Sequence, residues 1–120
     1  MPKISNPIFD VNDLLTRVDN DRDLMREILL IFKEEFPRHR ESLRAAVHSS
    51  DAAKVAAEAH SLKGMLANMA AVPASTAAAR LENLGRAGDV LHFAEAHAAF
   101  EEISEELLVQ LEVCMAEVCP

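Results

Sequence analysis

Tryptophan and tyrosine are absent from these 120 residues, and only five phenylalanines, three glycines and two cysteines occur. So little aromatic and β-branched material argues against a sheet protein. Positive charge is also scarce, with 12 Lys and Arg against 20 Asp and Glu and a formal net charge of −8. Such a surface repels phosphate backbones, and no Lys/Arg cluster rises above the rest, so nucleic acid is not an expected partner. The weakly polar stretch from Met65 to Ala74, interrupted by Asn68 and Pro73, is far too short to cross a bilayer. The start, Met-Pro-Lys-Ile-Ser-Asn, lacks the apolar segment of a secretory signal. The expectation is a cytoplasmic protein that does not engage membranes. Cys114 and Cys119 point about 140° apart on a helix, which is poor geometry for a disulfide. Both read as free thiols.

What is present favours helix. Alanine fills about one position in six, and leucine and glutamate are frequent. Residues 1–9 read as a lead-in and 10–120 as one domain. Asp10 caps a short helix to about Val18 with Leu14, Leu15 and Val18 inward. Asp19-Asn20-Asp21 ends it and opens the next. Apolar residues at Leu24, Ile28, Ile31, Phe32, Phe36, Leu43 and Val47 have helical spacing, so 21–48 reads as one long helix bent at Pro37, or as two. Ser49-Ser50-Asp51 starts a helix reaching about Ala70, which Val72-Pro73 terminates. A shorter helix follows with Ala77, Leu81 and Leu84 inward, ending near Gly85 to Gly88. Asp89 caps the last helix, whose stripe is Phe93, Phe100, Leu107, Leu111, Cys114 and Val118. One short and four longer helices with short connections predict an all-α fold: an antiparallel four-helix bundle with an additional short N-terminal helix.

The helix from Asp51 to Ala70 carries the informative residues. Its seam is Val55, Ala59, Leu62, Leu66 and Met69. At about 100° per residue, His60 falls roughly 140° from the centre of that seam and faces outward. Around it lie Ala53, Ala56, Gly64 and Ala67, with Lys63 toward one edge, whereas a solvated face normally carries long charged side chains. Gly64 costs about 1 kcal/mol relative to alanine within a helix. Clearance for a macromolecule approaching the ring explains it better than chance. An exposed imidazole offers a nucleophilic nitrogen, and Lys63 at i+3 can offset charge on an anion placed there. An orienting acceptor for the other ring nitrogen is required, and this helix does not supply one.

His60-Ser61-Leu62-Lys63-Gly64 resembles the His-x-Leu-Lys-Gly phosphorylation motif of histidine-containing phosphotransfer (HPt) domains. Phe32, Glu35, Pro37, Leu43, Ala46, Asp51 and Ala59 upstream, and Asn68, Leu81-Glu82 and Gly88-Asp89 downstream, resemble the family's flanks over roughly residues 10 to 110. The resemblance implies a phosphorelay intermediate that accepts a phosphoryl group on His60 from a receiver aspartate and passes it to another receiver. It implies a phosphocarrier without ATP-dependent kinase activity. Its partners would be receiver domains of response regulators and hybrid histidine kinases. Lys63 would stabilise the phosphoryl group, and Glu82 on the following helix would orient the ring from Nδ1; an exposed i+4 pair of Glu82 with Arg86 is the alternative. Ala53, Ala56, Ala57 and Ala67 would form the docking surface, with Met65 reshaping its rim. Ala70 stands where the family usually has glycine. No cofactor is expected, and Mg²⁺ would belong to the receiver.

His39, His48, His92 and His97 lack such a context; His97 lies beside the last seam, at the edge of the core. Neither Glu-x-x-His pairs nor His-x-x-x-His occurs, so no metal site is expected. A monomer is expected because the bundle closes on itself. The competing readings are a helical adaptor that is never phosphorylated, and the phosphorylatable domain of a larger hybrid histidine kinase.

Overall fold

The computed structural model describes residues 8–117. The expectations for residues 1–7, Val118 and Cys119 lie outside them. The helices are α1 (Val11–Arg17), α2 (Arg22–His48), α3 (Ala52–Asn68), α4 (Val72–Ala87) and α5 (Phe93–Glu117), with a 3-10 turn at Val90–His92 leading into α5. Helices α2 to α5 form the antiparallel bundle, each packed on its chain neighbours and α2 closing against α5, while α1 lies across one end. No helix among the described residues is long and apolar enough to cross a membrane.

Local chemistry sets the helix starts. Asp10, Asp21 and Asp51 sit in extended backbone, and their carboxylates accept the amides of Asp13, Leu24 and Lys54 at 3.0, 3.1 and 3.2 Å. Each such cap contributes about 1 kcal/mol. Helix α2 continues through Pro37 as a single element. Proline removes a donor there at a cost of about 3 kcal/mol, but its own position is exposed and the buried stripe Met25, Leu29, Phe32, Phe36, Leu43, Ala46 runs past it unbroken. Phe36 stacks on Phe32 at 4.7 Å between centroids and meets Phe100 of α5 edge-on at 6.5 Å, so core packing outweighs the lost bond.

The α3–α4 connection differs from the sequence expectation in instructive ways. Helix α3 stops at Asn68, and Ala70 adopts the left-handed conformation at φ 56°, which costs an L-residue with a Cβ roughly 1–2 kcal/mol. Neighbouring groups hold the turn: Arg17 of α1 donates to the Ala67 carbonyl at 2.9 Å, and the Asp10 amide donates to the Ala70 carbonyl at 3.1 Å. Gly85 lies inside α4, and Gly88 at φ 67° provides the left-handed cap. A Cβ on Gly85 would stand 2.7 Å from the Ala56 nitrogen and 2.9 Å from the Ala52 oxygen. The glycine is therefore where the two backbones touch. The buried face of α4 is Ala74, Ala78, Leu81, Glu82 and Gly85, with the expected Ala77 and Leu84 only half-buried at its margins. Asp89 does not cap α5; its carboxylate takes His92 Nδ1 at 2.8 Å, and the 3-10 turn intervenes. On α5, Phe93, Phe100, Leu107, Leu111 and Cys114 are buried as the stripe required.

Candidate functional site

The small-residue contact between α3 and α4 has a chemical result. It brings Glu82 beneath His60, 22 residues earlier in the chain. The seam Val55, Ala59, Leu62, Leu66 and Met69 is buried, which turns His60 outward on the opposite side of α3 with its side chain 63% exposed. Glu82 is the reverse: its side chain is 3% exposed, yet charged.

Three donors converge on that carboxylate. His60 Nδ1 lies 3.0 Å from Oε2, Lys63 Nζ lies 2.6 Å from Oε1, and Arg86 Nη2 reaches Oε2 at 2.5 Å. The hydrogen bond from Lys63 is the largest influence holding the Glu82 carboxyl below its ordinary range; burial opposes it, while the His60 bond and the Arg86 charge reinforce it. An ionised carboxylate only accepts, so Nδ1 carries the hydrogen of the neutral ring and Nε2 keeps the lone pair. Nε2 meets no hydrogen-bonding group among the described residues. The result is an oriented nucleophilic nitrogen on an open face.

The other sequence candidates fall into place around it. Gly64 is exposed, and a Cβ there would find nothing within 4 Å. No internal packing demands glycine at that position, unlike Gly85. Ala53, Ala57 and Ala67 are exposed; Ala56 is half-buried, with its backbone against Gly85. Met65 is half-buried and lines a groove of about 190 Å³ between α2 and α3, together with Ile28, Ile31 and Phe32. Glu82 contacts both His60 and Arg86, and its pair with Arg86 is not the exposed one expected, because the carboxylate is buried between α3 and α4. Two contributors escaped the sequence. Ser75 Oγ of α4 donates to the Lys63 carbonyl at 3.0 Å, tying the helices beside the site, and Gly85 sets their separation. Neither leaves a signal in the sequence, since both act through distances between helices.

With this geometry, comparison with known proteins is informative. The Hpt domain family matches residues 27–117. Among solved structures, the histidine-containing phosphotransfer protein B (HptB) of Pseudomonas aeruginosa PAO1 is similar, with a TM-score of 0.82 and 25% identity over 90% of this chain and 94% of that one. No curated protein sequence matches.

Proposed function

The chain belongs to the Hpt domain family, the histidine phosphocarriers of two-component phosphorelays, and we propose that the phosphoryl group it carries is bound to His60. Like other members it is a carrier and not a kinase. One observation bears most of this reading: an exposed imidazole whose Nδ1 is engaged by a buried, ionised carboxylate, leaving Nε2 free.

The transfer follows from that arrangement. A receiver presents an aspartyl phosphate; Nε2 attacks phosphorus, the N–P bond forms, and the P–O bond to the aspartate breaks to release its carboxylate. Glu82 keeps the Nδ1–H oriented while the ring gains positive character, and Lys63 offsets charge on the phosphoryl oxygens. Attack by the aspartate of a second receiver reverses these events. Gly64 leaves room for the receiver to bring phosphorus within bonding distance, and Ala53, Ala57 and Ala67, with the outer edge of Ala56, give a shallow surface for docking. Any Mg²⁺ taking part would be held by the receiver's carboxylates. Its setting is the cytoplasm, where it acts as a monomer on receivers of response regulators and hybrid kinases; the acidic surface and closed bundle support this.

Incubation with a phosphorylated receiver tests the proposal. Acid-labile label should appear on the protein and disappear in His60→Gln. Label that persists in that variant refutes the assignment.

A further inference from the structure

Glu82 has more positive partners than one carboxylate needs. Lys63 sits on Oε1 at 2.6 Å and Arg86 on Oε2 at 2.5 Å, against a single buried negative charge. We infer that the two cations have separate duties: Arg86 is a positioning residue that keeps Glu82 paired while Lys63 leaves it for the phosphoryl group on His60. This rests on His60 being the acceptor.

The argument is one of attachment and charge. Arg86 lies on the same helix as Glu82, one turn on, so their pairing does not depend on events on α3. Lys63 lies on α3 three residues from His60, is 37% exposed, and carries a compact charge on a flexible stem. Before loading, the cluster of Glu82, Lys63 and Arg86 carries one net positive charge. A dianionic phosphoryl group adds two negative charges beside it, offset in part by the positive character the ring gains, and Lys63, three residues from His60, is the cation placed to serve both anions. A buried carboxylate stripped of every cation is strongly unfavourable. With Arg86 present, Lys63 can depart and leave a neutral Glu82–Arg86 pair. Without Arg86, Lys63 must choose between the buried carboxylate and the phosphoryl group, and the loaded state loses.

Phosphoramidate serves as a receiver-free probe: Nε2 attacks its phosphorus, the P–N bond breaks and ammonia leaves. Arg86 is 66% exposed, so Arg86→Gln should melt as the native protein does, yet its rate of labelling on His60 should fall about tenfold, within the range for residues sharing one ion-pair network. Arg86→Lys should restore most of that rate. In a Glu82→Gln background, Arg86→Gln should change the rate less than twofold, because no buried charge remains to hold Lys63 back. An equal loss in both backgrounds, or no loss in either, overturns the division of duties while leaving the His60 assignment standing. Native protein that takes no label on His60 removes both.

Discussion

Two of the histidines that sit beside glutamates, His60 and His97, have exposures reversed relative to their partners. At the α3–α4 contact the His60 ring is 63% exposed and its partner Glu82 is 3% exposed. At the α2–α5 contact the His97 ring is 14% exposed and Glu101 is 32% exposed. Glu101 is already engaged by Arg40, with Nη2 at 2.5 Å from Oε2. His97 Nε2 therefore lies 3.5 Å from Glu101 Oε1, buried and without a hydrogen bond. Burying the carboxylate and exposing the ring yields an oriented nucleophile. Burying the ring and exposing the carboxylate yields an imidazole that resists protonation: burial pushes His97 down, Glu101 opposes, and the Arg40 and Arg44 charges add to the effect of burial.

The largest test of this contrast exchanges each glutamate for alanine. Glu82→Ala releases the ring and should slow transfer from a phosphorylated receiver about a hundredfold, the scale of a misplaced reacting group. Glu101→Ala should leave that rate unchanged in the same assay. A second test moves to the contact that delivers Glu82. Gly85→Ala forces a Cβ against the Ala56 backbone and should destabilise the bundle by about 2 kcal/mol in a denaturant titration, as overpacking does. Gly64→Ala meets open space and should stabilise by about 1 kcal/mol, yet slow transfer by crowding the approach to the ring. Ala70→Gly, which relieves the left-handed turn, should also stabilise by about 1 kcal/mol without slowing transfer.

The smallest effect is in pH dependence. Because His97 is depressed in the folded state, the unfolded chain binds its proton first as the pH drops below about 6.5. Stability that is complete above that value is then lost as the pH falls toward the folded one, so melting temperatures between pH 7 and 5 should decline less steeply in His97→Leu. For Glu82, also depressed, the corresponding loss begins only below about pH 4.5.

What could be read from the sequence was what lies within one helix. The caps at Asp10, Asp21 and Asp51, the seam of α3 and the outward turn of His60 with Lys63 and Gly64 all depend on spacing of a few residues, and the structure reproduces them. Glu82 came only through family resemblance, because a partner 22 positions away on another helix has no periodic relation to His60. The double engagement of Glu82 was invisible for a similar reason: i+4 spacing announces Arg86 but not that the carboxylate between them is buried. Gly85 looked like punctuation near a helix end, since a glycine that stops a helix and one that lets two helices meet are the same letter. At Ala70 the sequence shows only a departure from the family's glycine; the left-handed turn there and its support from Arg17 and Asp10 depend on residues far away in the chain.

His60 and its aligning carboxylate arrive from different helices, joined across the backbone approach at Gly85. The reactivity proposed for His60 is thus a property of the finished assembly rather than of the motif. A nascent chain, or one whose fourth helix has peeled away, displays the histidine but cannot aim it.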